Sequence, residues 1–168
     1  NDIYIRLPSK KEYHRFLINN YLKANGIGQA SEISYLLKNT KTHIAAELKE
    51  MHSSGELTKV TVNGIDYFAL PKSLALLDKP LNCKQLKILS PFDNLLIQRK
   101  RMLNLFDFDY QIECYLPETK RKYGYFSLPI LWNGSFAARM DCKADRKTSI
   151  LNIHHLALGE GLGDRDAF

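Results

Sequence analysis

Asn63-Gly64 constrains the first half of the chain more than any other feature. It separates Leu57-Thr58-Lys59-Val60-Thr61-Val62 from Ile65-Asp66-Tyr67-Phe68-Ala69-Leu70, two runs rich in β-branched and aromatic residues. A tight two-residue connection needs positive φ at both central positions, and Asn-Gly supplies it at low cost. A β-hairpin is therefore expected over 57–70, closed by Pro71.

The residues before the hairpin read as helical. Tyr13, Phe16, Leu17, Tyr21 and Ala24 share one face of a helix that Asn25-Gly26 should stop. A short second helix is expected after Ser31, with Ile33, Leu36 and Leu37 turned inward. Asn39 or Thr40 can cap a third helix, in which Ile44, Leu48 and Met51 recur at i, i+4 and i+7 before Gly55 ends it. Three helices followed by a two-stranded hairpin is the winged-helix order, with helices two and three as the helix-turn-helix pair.

The second half reads as β-rich. A short helix fits Gln98 to Phe106. Tyr110, Ile112, Cys114 and Leu116 alternate with polar residues, as a half-buried strand would. Tyr123 to Trp132 suits a central strand, although Pro129 argues for an edge or a bulge. Asn133-Gly134 turns the chain, and Phe136, Ala138, Met140, Cys142 and Ala144 should then share one face. Arg139, Asp141, Lys143 and Asp145 should line the other, as a surface ladder of ion pairs. A last strand is expected from about Ser149 to Leu158. Several antiparallel strands in a short span must hide one face, and a small barrel does so. The expected fold class is α+β: a winged helix-turn-helix domain over 1–72, a connection over 73–90, a small antiparallel barrel-like domain over 91–158, and a loose tail over 159–168.

The 168 residues carry a formal net charge of +6, which favours an anionic partner such as nucleic acid. Cys83, Cys114 and Cys142 are far apart and form no CxxC pair, so neither a disulfide framework nor a zinc site is expected. No cofactor is called for. No apolar run approaches the length of a membrane span, and a cytoplasmic, nucleoid-associated protein is expected. The chain starts without an initiator Met, and is expected to be part of a longer protein.

Candidate DNA-contacting residues follow from charge and placement. Lys41, Thr42 and His43 open the third helix, where a winged helix approaches DNA, and Lys59 lies in the wing. Glu47 and Glu50 offset Lys41 and Lys49, which counts against base reading by that helix. Three cationic clusters mark the second half: Arg99-Lys100-Arg101, Lys120-Arg121-Lys122, and Lys143 with Arg146-Lys147. Held along one face, these clusters would neutralise phosphates without reading sequence; the alternative is solvated loop charge, with Asp107, Asp109, Asp141 and Asp145 as ion-pair partners. His154 and His155 are adjacent on a strand, so they point apart and make a poor metal pair. Cys142 reads as inert core.

Several ordered motifs make a family resemblance. They are Leu89-Ser90-Pro91-Phe92-Asp93-Asn94-Leu95, Arg99-Lys100-Arg101, Leu105 to Glu113, Tyr115-Leu116-Pro117, Lys120-Arg121-Lys122-Tyr123-Gly124-Tyr125, Leu128-Pro129, and Asp141 to Arg146. Together they resemble the C-terminal region of YcaQ-like enzymes, bacterial helix-turn-helix DNA glycosylases that unhook interstrand crosslinks and remove N-alkylated purines. The resemblance implies double-stranded DNA as partner, contacted mainly at its backbone, with Arg99, Arg101, Lys120, Arg121, Lys143 and Arg146 as the expected phosphate contacts. It also implies N-glycosidic bond hydrolysis by a positioned water, with a Gln-x-Gln motif in a preceding winged-helix region. Gln29, Gln85, Gln98 and Gln111 are the glutamines here, and no two are separated by one residue. No catalytic residue carries over, and this chain alone is expected to be inactive, a DNA-positioning region beside an N-terminal catalytic part. Phe92, Asp93, Tyr110 and Tyr125 are expected to hold the fold. The rival readings are a winged-helix transcriptional regulator and a structural or protein-contact module.

Overall fold

The computed structural model describes residues 6–80, 85–159 and 162. The chain divides into two compact units, Asn1–Pro80 and Leu81–Phe168.

The first unit runs α1 (Lys10–Asn25), β1 (Ile27–Gly28), α2 (Ala30–Ile33), α3 (Lys41–Ser53), β2 (Thr58–Val62), β3 (Ile65–Ala69) and α4 (Pro71–Leu74). Ser9 starts α1 with a reciprocal cap: its hydroxyl accepts the Glu12 N–H at 3.2 Å, and its own N–H donates to the Glu12 carboxylate at 2.7 Å. Gly26, at φ 76°, ends the helix. Ile18 and Leu22 are buried with Ile33, Ile44, Leu48, Met51 and Leu57 in one cluster. Each such side chain contributes roughly 1.5–3 kcal/mol by leaving water.

The inward face of α1 differs from the expected one. Leu17 and Tyr21 sit at the margin of the core, while Tyr13, Phe16 and Ala24 are exposed. The stripe facing α3 is Lys11, Arg15, Ile18 and Leu22. Its first half is charged: Lys11 pairs with Glu50, and Arg15 pairs with Glu47 at 2.7 Å and with Glu56. A search for apolar spacing overlooks a stripe whose leading turns carry cations. In α2, Ile33 is buried as expected, but the helix ends there. Leu36 adopts φ 65° and lies exposed, not inward.

The hairpin forms as expected. Val62 faces Ile65 across Asn63 (φ 51°) and Gly64 (φ 75°), the signature of a type I′ turn. β3 lies between β1 and β2 in an antiparallel three-stranded sheet. Tyr67 and Ala69 are buried on its inner face.

The second unit contains β4 (Lys87–Ile88), α5 (Arg99–Phe106), a short 3₁₀ turn (Glu118–Lys120), β5 (Ser127–Trp132), β6 (Ser135–Asp145) and β7 (Ile150–Leu158). The strands form one antiparallel sheet in the order β4-β5-β6-β7. Among the described residues it stays open, which corrects the expected barrel. The two-residue β4 leaves most of one side of β5 unpaired, and β7 forms the other edge. Asn133 (φ 50°) and Gly134 (φ 79°) turn β5 into β6. Pro129 is fully buried inside the sheet, yet it loses little pairing: β4 pairs only with Ile130 and Leu131, and a bulge follows at once.

That bulge also overturns the expected face assignment. Ile130 pairs with Ala138 and Leu131 with Phe136, so Ala137 is the extra residue. An added residue reverses the alternation. Phe136 therefore leaves the face of Ala138 and Met140 and stacks on Phe108 at 4.3 Å between ring centroids. Arg139, on the same side, stands over the same ring at 4.3 Å. Leu96, Met102 and Tyr110 form a core here with Phe108 and Phe136, whereas Ile130, Ala138, Met140 and Cys142 cluster separately.

Residues 110–116 do not form the expected strand. They are held through side chains: the buried Tyr110 hydroxyl donates to the Ser127 carbonyl at 2.9 Å, and Glu113 is buried as a hydrogen-bond acceptor. Cys83 and most of the expected tail lie outside the described residues. Of that tail, Gly159 donates its N–H to the Ala137 carbonyl at 2.7 Å, and Leu162 is buried.

Candidate nucleic-acid interface

The loop from Leu116 to Phe126 carries the middle cationic cluster, and two buried carboxylates shape it. Glu113 accepts the Tyr123 N–H at 2.6 Å. Asp141, on β6, accepts the Tyr125 N–H at 2.6 Å and the Phe126 N–H at 3.3 Å. Gly124 between them adopts φ 108°, and a Cβ there would lie 2.6 Å from that of Asp141. Only glycine suits a backbone so twisted and so close. Asp141 is only 8% exposed, so it belongs to this pin and not to a surface ladder of ion pairs. Asp145 departs from the ladder too. Its carboxylate accepts from the Lys147 N–H at 2.9 Å in the turn to β7. Hydrogen bonds from the Thr148 side chain and the Lys147 backbone hold its carboxyl below the usual aspartate range.

On this frame Arg121 donates its Nε–H to the Leu116 carbonyl at 3.0 Å and stands 4.9 Å over the Tyr125 ring. The Lys122 ammonium lies 5.0 Å from the Tyr123 ring centre. Tyr123 also covers Arg139 at 4.2 Å, so the Arg139 guanidinium is sandwiched between Tyr123 and Phe108. Lys120 is exposed beside them. Lys143 at the end of β6, and Arg146 and Lys147 in the following turn, are also exposed.

The first cluster is dispersed. Arg99 donates to the carbonyls of Leu96 at 2.6 Å and Pro91 at 3.0 Å, and stands 4.5 Å over the Tyr110 ring. Arg101 is 4% exposed. Both are turned into the fold, which leaves Lys100 as the exposed cation of the three. Phe92 and Tyr125, expected to hold the fold, are largely exposed instead, while Tyr110 is buried and Asp93 caps its own turn through the Leu95 N–H at 2.9 Å.

In the first unit Lys41, Thr42 and His43 are exposed on the opening turn of α3, and the His43 ring stacks on that of His14 at 5.3 Å. Glu47 and Glu50 are engaged by Arg15 and Lys11 of α1, so they do not offset Lys41 and Lys49 as the sequence suggested. Lys59 donates to Asp66 at 2.8 Å, and Thr61 donates to the same carboxylate at 2.7 Å. Cys142 packs half-buried against the Ile130 cluster, and burial pushes its thiol pKa up, which suits an unreactive core residue.

Sequence reasoning missed Glu113, Asp141 and Arg139 as the supports of this surface. Gly124 between two tyrosines was the available signal, since such a glycine marks a close backbone approach.

A family model described as DNA glycosylase AlkZ-like matches residues 3–168. The chain belongs to the AlkZ-like DNA glycosylase family, in accord with the resemblance in its motifs. Among solved structures it is similar to Streptomyces sahachiroi DNA glycosylase AlkZ, with 22% identity and a TM-score of 0.54. That match covers 82% of this chain and 36% of the other, so this chain spans about a third of its length. At this identity the likeness speaks to the fold.

Proposed function

We propose that this chain is the DNA-positioning region of an AlkZ-like glycosylase acting on alkylated or crosslinked bases. The hydrolytic residues would lie outside these 168 positions, as the lack of a Gln-x-Gln motif suggests. The reading treats the first unit as a winged helix, on the element order α1-β1-α2-α3-β2-β3 with β3 central in its sheet. The observation that carries it is the pinned loop of the second unit, which holds Lys120, Arg121 and Lys122 on a backbone fixed by buried carboxylates. Lys143 and Arg146 extend the cationic surface. Lys41, Thr42 and His43 are the contacts proposed for α3. Arg101 is left out because it is buried, and Arg99 because both of its terminal nitrogens donate to carbonyls of the fold, whereas the bond from Arg121 to Leu116 uses its Nε–H alone. Such contacts neutralise phosphates and set register without reading sequence.

Charge reversal tests this directly. Lys120→Glu with Lys143→Glu should weaken binding of the whole chain to a generic duplex by at least about tenfold at low salt, as loss of two phosphate contacts implies. Unchanged affinity would contradict the reading.

A second reading has a specific observation behind it. Ile150, Leu151, Ile153, Leu156 and Leu158 are all exposed on the edge strand β7, and Leu76 and Leu77 are exposed after α4. Exposed apolar runs of this kind suit a protein-contact module. A fragment that binds no DNA but associates through β7 would favour it.

A further inference from the structure

We infer that Tyr125 is a stacking platform for an unpaired nucleobase, with Arg121 and Lys120 placed to meet the flanking phosphates. The inference rests on the DNA-handling reading and names the form of nucleic acid that this surface takes.

Three observations converge on it. The Tyr125 backbone is immobilised, since its N–H and that of Phe126 both donate to the buried Asp141 carboxylate. Tyr125 is nevertheless 56% exposed, and Tyr115, one residue before the carbonyl that holds Arg121, is 84% exposed. Arg121 stands over one face of the Tyr125 ring, locked in place by its bond to Leu116.

An exposed aromatic ring on a rigid, cationic frame is the arrangement that binds single-stranded nucleic acid. The ring stacks on a base, the cations follow the backbone, and little ordering is lost on binding. Paired bases in a duplex are already stacked on both faces and present only their edges. A ring projecting from a loop therefore has nothing to stack on in an intact helix. An unpaired, bulged or extruded base offers the π-face that it lacks.

The test uses the whole 168-residue chain with a single-stranded oligonucleotide containing 2-aminopurine, whose fluorescence falls on stacking, and with the same label in a matched duplex. The expected result is quenching on binding the single strand. Tyr125→Ser should abolish the quenching and weaken single-strand binding about tenfold, while Tyr125→Phe retains both. Duplex affinity should change by less than about twofold in either variant, because the phosphate contacts remain. Asp141 holds the Tyr125 backbone and not its ring, so these substitutions leave the pin intact. Absence of quenching, or equal single-strand binding by the wild type and Tyr125→Ser, would overturn the stacking role while leaving duplex binding in place. Failure to bind either form at low salt would instead overturn the DNA-handling reading on which it rests.

Discussion

Asp141 and Glu113 replace the water that would otherwise solvate three backbone donors of the cationic loop, the N–H groups of Tyr123, Tyr125 and Phe126. Charge-assisted bonds of this kind contribute more than neutral ones, and a buried carboxylate is tolerated only when such donors surround it. Gly124 makes the approach possible. Gly124→Ala should therefore destabilise the second unit by at least about 2 kcal/mol, combining strain at positive φ with a clash against Asp141. Denaturant unfolding of the variant checks this, and a midpoint equal to that of the wild type would contradict the packing described. In the first unit the carboxylates held at a lowered pKa, Glu12, Glu56 and Asp66, are exposed. Hydrogen bonds from Arg15, then Ser54, hold the Glu56 carboxyl below the usual glutamate range, and the Ser9 backbone and hydroxyl do the same for Glu12. Lys59, then Thr61, lowers that of Asp66. A depressed folded pKa stabilises above the unfolded value, and that stability is lost as pH falls through the folded one. The melting temperature should hold between about pH 7 and 5 and decline below about pH 4, where carboxylates protonate. A profile that is flat down to pH 3 would show that these contacts contribute nothing in solution.

Among the elements, α3 shows what apolar spacing reads well. Ile44, Leu48 and Met51 are all buried, as their i, i+4, i+7 spacing indicates. Leu48 touches the centre of the first core, so Leu48→Ala should cost about 2–5 kcal/mol in an unfolding titration. A loss below about 0.5 kcal/mol would mean that α3 is not packed as described. The same spacing finds α1 and its stop at Gly26 but misassigns its inward face, because cations occupy half of that stripe and find their partners on another helix. It also misread residues 110–116, where alternation is present but the segment is held by a tyrosine hydroxyl and a glutamate instead of a strand ladder. Both Asn-Gly hairpins were legible because the turn chemistry is local. Pro129 pointed to an edge or a bulge, but the place of the bulge at Ala137 was not legible, since only pairing with β5 reveals the extra residue. For the same reason the candidate site was half legible. Its cations could be listed from sequence, but which of them face solvent depends on carbonyls and rings supplied by distant segments. Arg99 and Arg101 look no different in the sequence from Lys120 and Arg121.

At the scale of the whole molecule, a net charge of +6 becomes informative through its distribution. Glu47 and Glu50 of α3 are paired with α1, Arg99 and Arg101 serve the fold, and the exposed cations include those on the pinned loop, the end of β6 and the opening turn of α3. Membership of a DNA glycosylase family is what makes DNA the proposed counterpart of these cations, unit by unit, and the apolar edge of β7 is a surface of different character. No helix among the described residues is long and apolar enough to cross a membrane. The central claim, that these residues hold DNA through its phosphates, is tested most directly by fluorescence anisotropy of the whole chain with a generic duplex across a salt series. Affinity should fall steeply and linearly on a log–log plot, with a slope of about −0.9 for each phosphate neutralised, and should be the same for unrelated duplex sequences. Affinity indifferent to salt, or no binding at low salt, would contradict it.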